Sequence, residues 1–120
     1  MTTALITGAS GGIGLELATL MAKEGYDLIL VARSAGKLYG LAQALTAHYP
    51  VKVEVVPADL ASPDGVSCLV KAVSGKTIDI LVNNAGCGDY GRFQDVAWSR
   101  YQQTMTLNMM ALTELSHALF

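Results

Sequence analysis

At 120 residues the chain has the length of one domain, and 52% hydrophobic against 15% charged positions calls for a sheet covered on both faces, or for apolar surface meant for a partner. A net charge of −2 with no basic run gives nucleic acid no electrostatic foothold. No apolar run approaches the roughly 20 residues of a membrane-spanning helix.

The first short apolar run, Ala4-Leu5-Ile6, reads as a brief buried strand. It enters the turn Thr7-Gly8-Ala9-Ser10-Gly11-Gly12-Ile13-Gly14, after which Ile13, Leu17, Leu20 and Met21 recur as on one helix face. Glu24-Gly25-Tyr26 closes that helix with glycine at C′. Leu28-Ile29-Leu30-Val31-Ala32 does not alternate, so it is a parallel strand buried on both faces. Ser34 is placed to cap a second helix, whose stripe is Leu38, Leu41, Ala42 and Leu45 and which stops before Pro50. Val51, Val53, Val55 and Val56 form a third strand ended by Pro57, and Ser62-Pro63 opens a third helix striped by Val66, Leu69, Val70 and Val73. Ile78, Ile80, Leu81 and Val82 make a fourth strand running into Asn83-Asn84-Ala85-Gly86. The polar, glycine-rich stretch from Gly86 to Asp95 is a loop, and a long helix then starts near Val96. Its stripe is Trp98, Tyr101, Met105, Asn108, Leu112, Leu115 and Leu119. Strict alternation of strand and helix with short connections predicts an α/β, Rossmann-type, doubly wound parallel sheet of order 3-2-1-4, with no second domain or repeat.

Strand, glycine turn and helix together aim free backbone N–H groups and the positive helix end at a phosphate. Within the turn, one glycine supplies φ > 0, one admits a pyrophosphate closely and one lets helix pack on strand. No triple of glycines here has the i, i+2, i+5 spacing of the common dinucleotide fingerprint. What the residues do spell is Thr-Gly-x-x-x-Gly-x-Gly, and this resembles the short-chain dehydrogenase/reductase family. Asn83-Asn84-Ala85-Gly86 resembles that family's second signature, and the two together are far more specific than either alone.

The resemblance implies a nicotinamide dinucleotide bound by Gly8, Ser10, Gly11, Gly12, Ile13 and Gly14, by Asp59 and Leu60 at the adenine, and by Asn84, Ala85 and Gly86 near the ribose. Asp59 alternatively reads as an ordinary turn or cap aspartate. Arg33 stands where an NAD-selecting acid would end the second strand, so NADP(H) is expected over NAD(H); the alternative is a solvated surface arginine. Asn108 interrupts an apolar stripe and must find polar partners or cost a few kcal/mol. It reads as a satisfied core asparagine or, by the resemblance, as a catalytic residue that bends the helix and holds a water in a proton relay. Cys68 and Cys87 lack metal-type spacing, as do His48 and His117, so no metal is expected and the thiols are read as free. With Met1-Thr2-Thr3 carrying no charged leader, the expected compartment is the cytoplasm.

Family members do their chemistry with a Tyr-x-x-x-Lys pair and an upstream serine, which act on a carbonyl or alcohol while hydride passes to or from the nicotinamide. None of Tyr26, Tyr39, Tyr49, Tyr90 and Tyr101 has a lysine four residues on. Residues 1–120 are therefore expected to be the NAD(P)-binding N-terminal portion of a longer single-domain enzyme, cut before the fifth strand and inactive alone. A non-catalytic NADP-binding sensor or regulatory module is the alternative, with an adenosyl-methionine binder behind it. An open fourth-strand edge and the long apolar helix stripe predict a homo-oligomer through the C-terminal helix.

Overall fold

The computed structural model describes residues 2–62, 64–85 and 96–120. Four strands, β1 (Thr3–Thr7), β2 (Asp27–Ala32), β3 (Val53–Pro57) and β4 (Ile80–Val82), form one sheet in the order β3-β2-β1-β4. Every pairing is parallel: Leu5 lies opposite Ile29 and Leu81, and Ile29 opposite Glu54. The expected class and strand order are therefore observed.

Alternation along the central strands splits the core into two layers, because successive strand residues face opposite sides. Ala4, Ile6, Leu28 and Leu30 pack with Ala18, Ala22, Leu38 and Leu45 of α1 (Gly12–Lys23) and α2 (Ala35–His48). Leu5, Ile29 and Val31 pack on the other face with Leu60, with Val66 and Leu69 of α3 (Gly65–Ala72), and with Leu115 near the C-terminus. Side chains such as Leu5, Ile6, Leu28, Ile29 and Leu30 are fully enclosed, each contributing about 1.5–3 kcal/mol of transfer free energy.

The helix face expected on α1 is corrected. Ile13 and Leu20 are 70% and 58% exposed, and the sheet is met by Gly14, Ala18 and Ala22, with Met21 beside them. The helix rides too close to β1 for bulky side chains, so the small residues take the contact. Its end matches expectation: Gly25 has φ +93°, the Gly25 N–H donates to the Ala22 carbonyl and the Tyr26 N–H to that of Met21. Ser34 occupies the N-cap of α2, but its hydroxyl makes no cap bond. α3 begins at Gly65 with Asp64 as N-cap, after the expected opening at Ser62; Pro63 lies outside the described residues.

The long C-terminal helix is broken into α4 (Trp98–Met105), a π-helical segment (Thr106–Ala111) and α5 (Leu112–Leu119). That interruption moves its buried face. The side chains turned to the core are Leu107, Ala111, Leu115 and Leu119, four apart, because the π turn is wider than an α turn. Trp98, Met105 and Leu112 of the expected stripe are instead 62%, 43% and 38% exposed.

Candidate functional site

Parallel pairing in register brings the carboxyl ends of all four strands to one rim: Thr7 lies opposite Val31, Ala32 opposite Pro57, and Ile6 opposite Val82. The order in which strands are added to the sheet reverses at the β1–β4 boundary, and ligands of open α/β sheets sit at that crevice. A cleft of about 760 Å³ opens there.

Next to Gly8 of the cleft lining lies Thr7, which is 1% exposed. The Thr7 hydroxyl accepts the backbone N–H of Asn84 (3.0 Å) and of Ala85 (2.9 Å), and donates to the Val82 carbonyl (3.3 Å). The Asn84 side-chain amide then donates to the Gly8 carbonyl at 3.1 Å. Together these bonds lock the first glycine of the β1 turn to the chain leaving β4. The fit leaves no room for side chains: a Cβ on Gly8, at φ +67°, would lie 2.9 Å from the Ala85 Cα, and one on Gly14 would lie 2.5 Å from the Asn84 Nδ2 and overlap the Gly8 carbonyl. Gly12 also needs its positive φ of 58°, yet a Cβ on Gly11 or Gly12 would meet nothing within 4 Å. The turn is thus packed tight on its sheet side and bare backbone on its open side. That fits a phosphate brought against N–H groups at the start of α1.

Among the sequence-derived candidates, Gly8, Ser10, Gly11, Arg33, Asp59, Leu60, Asn84 and Ala85 all line this one cleft. Gly12, Ile13 and Gly14 belong to the same turn and the start of α1, with Gly14 buried beneath it. Asp59 lines the cleft and also holds the turn after β3, where its Oδ1 accepts the Ala61 N–H at 3.0 Å. Asn108 does not line the cleft. It sits half-buried in the π segment, immediately after Leu107, which does. Gly86 and the loop through Asp95 lie outside the described residues.

Sequence reasoning passed over several residues that the fold recruits. Lys37, in the first turn of α2, lines the cleft together with Arg33, as do Arg100 and Gln103 of α4. Gly65 starts α3 against the Asp59 carbonyl, where any Cβ would collide. Ser116 accepts the Asn83 side-chain amide at 3.0 Å and donates to the Leu112 carbonyl at 2.8 Å, pinning α5 to the end of β4. Only Lys37 left a trace in the sequence, as a cation in a helical first turn where the macrodipole disfavours one. Among the described residues no cluster of His, Cys, Asp or Glu has the makings of a metal site, and no helix is long and apolar enough to cross a membrane.

Residues 2–120 match the family model for short chain dehydrogenases. The chain belongs to that family. A very-long-chain 3-oxoacyl-CoA reductase-like protein of Arabidopsis thaliana is 32% identical over 120 residues, which are 97% of this chain and 38% of that protein. The structure of a short-chain dehydrogenase from Sphingobium yanoikuyae in complex with NADPH superposes with a TM-score of 0.94 at 39% identity, covering 99% of this chain and 47% of that one. L-Sorbose reductase from Gluconobacter frateurii, complexed with NADPH and L-sorbose, gives 0.91 at 40% identity, over 98% of this chain and 46% of its own. This short-chain dehydrogenase sequence thus spans less than half the length of each of these three relatives.

Proposed function

We propose that residues 1–120 form the NADP(H)-binding portion of an oxidoreductase that reduces a carbonyl or oxidises an alcohol. The observation that carries this reading is Arg33, which stands at the rim of the cleft immediately after β2, where an NAD-selecting unit has a carboxylate. Backbone N–H groups of the Gly8–Gly14 turn would hold the pyrophosphate, Asp59 and Leu60 would meet the adenine, and Asn84, Ala85 and Gly86 would flank the adjoining ribose. The bound nicotinamide supplies or accepts the hydride. Asn108 would serve the reaction by holding a water in the proton relay from its place in the π segment, a distortion often found at functional sites. A module that only senses NADP has no use for such a residue, so the enzyme reading is preferred over the regulatory one. Since the 120 residues hold no Tyr-x-x-x-Lys, the chain alone is expected to turn over no substrate.

Calorimetry with NADP⁺ and NAD⁺ tests the cofactor assignment. A charge-assisted bond contributes roughly 1.5–3 kcal/mol, so NADP⁺ should bind more than about tenfold tighter. Arg33→Ala should erase most of that preference. Equal affinities in the native chain, or an unchanged ratio in the variant, would overturn the assignment.

A further inference from the structure

We infer that Asn83 and Ser116 form a strut that sets the spacing between the two walls of the cleft, with Ser116 a positioning residue for the reaction; this rests on the cofactor reading above. One wall is the glycine turn, with Gly8, Ser10 and Gly11, and the other is the C-terminal helix, with Arg100 and Gln103 of α4 and Leu107 of the π segment. Between them the chain leaves β4 through two consecutive asparagines. Alternation sends their side chains to opposite faces of the sheet, as Ile80 and Val82 pack in the layer of α1 while Leu81 and Ala85 pack in that of α3 and α5. The Asn84 amide accordingly donates to the Gly8 carbonyl at 3.1 Å, and the Asn83 amide to the Ser116 hydroxyl at 3.0 Å. Each wall is tied to one of two adjacent residues.

Apolar packing by itself leaves this spacing loose. The face turned to the core is Leu107, Ala111, Leu115 and Leu119, all apolar and four apart. Such contacts have no direction, and a slide of one helical turn, about 5.4 Å, presents the same kind of face again. A hydrogen bond does discriminate, because it is gone beyond about 3.5 Å. Ser116 is prepared to accept one: its own proton goes to the Leu112 carbonyl at 2.8 Å, which leaves the oxygen lone pairs for the Asn83 amide. Both residues are half-buried, so water competes for the bond less than it does at the surface. Leu107 and Asn108 lie roughly two turns before Ser116 on the same helix, and holding Ser116 holds them against the glycine turn. Misplacing a reacting group by about 1 Å costs on the order of a hundredfold in rate, which gives a bond remote from the chemistry its consequence.

Calorimetry with NADP⁺, joined to hydrogen exchange of the free and the NADP⁺-saturated chain, tests the strut. In the native chain NADP⁺ should slow exchange in the Gly8–Gly14 turn and also in α5, no residue of which lines the cleft. Ser116→Ala and Asn83→Ala should each weaken NADP⁺ about three- to tenfold. Each should also abolish the NADP⁺-dependent slowing in α5 while keeping that in the turn. Together they should cost no more than either alone, because both remove one bond. Ser116→Thr keeps the hydroxyl and should restore both readouts. Loss of a merely structural serine would speed exchange of α5 with and without NADP⁺ alike, leaving the difference intact, and that result overturns the positioning role. Unchanged affinity in Ser116→Ala, or losses that add in the double variant, overturns it as well. A native chain that binds NADP⁺ with no slowing in α5 rejects the strut alone. No binding of NADP⁺ by the native chain rejects the strut and the cofactor reading together.

Discussion

Thr7 ties the end of β1 to the chain leaving β4 because a hydroxyl can accept two hydrogen bonds while donating a third, and all three are used. Valine has nearly the same shape and none of that capacity. Thr7→Val should leave the Ala85 N–H without its acceptor and the Asn84 N–H with the Val82 carbonyl alone, at about 1–3 kcal/mol in unfolding free energy by chemical denaturation. A loss below a few tenths would mean that water substitutes freely for the hydroxyl. Gly14 makes a sharper case. Its missing side chain is what allows α1 to start against the Gly8 carbonyl and the Asn84 amide. Gly14→Val should therefore abolish cofactor binding in a titration, through displacement of the turn alone. Normal binding by a folded Gly14→Val protein would reduce the motif to an ordinary connection.

At the scale of elements, the helices show how close approach overrides hydrophobic periodicity. On α1 the sheet contact belongs to Gly14, Ala18 and Ala22, while Leu20 points outward. Ala18→Leu, at a position with no exposure, should cost about 1–3 kcal/mol through overpacking against β1. Leu20→Ala should stay within about 0.5 kcal/mol, like other surface changes. Thermal unfolding of the pair would decide it, and the reverse ranking would restore the larger side chains to the core. The C-terminal helix follows the same lesson by another route. Its π segment rotates α4 relative to α5, so Leu107, Ala111, Leu115 and Leu119 face the core while Met105, Met109, Met110 and Leu112 face outward. The Asn83–Ser116–Leu112 hydrogen bonds fix that rotation to the end of β4.

For the whole molecule, β4 is the sheet edge beyond β1, only three residues long and half-buried. Apolar groups are exposed nearby on the C-terminal helix, Trp98 at 62%, Met109 at 63% and Met110 at 67% among them. An apolar, unpaired strand edge templates pairing with another chain, and an exposed apolar helix face invites a copy of itself. We expect residues 1–120 to self-associate in light scattering, and to consume no NADPH with any carbonyl. A compact monomer at high concentration would contradict the first expectation. Steady NADPH oxidation by the pure chain would contradict the second, which rests on the missing Tyr-x-x-x-Lys pair.

Local pattern by itself determined the strands, their parallel order and the two signatures at the rim. Continuous apolar runs such as Leu28–Ala32 admit little else, and the Thr7–Gly14 turn joins one such strand to a helix. Which face of each helix meets the sheet was decided only in the folded molecule. Hydrophobicity ranks Ile13 and Leu20 above Ala18 and Ala22, but the separation of α1 from β1 admits only the small residues. The π turn is likewise invisible in the series Thr106-Leu107-Asn108-Met109, since no local residue in it dictates an i→i+5 ladder. Lys37 and Ser116 acquire their places only through tertiary structure. Each is an unremarkable polar residue on its own helix until parallel pairing carries α2 to the cleft and the sheet brings Asn83 to α5.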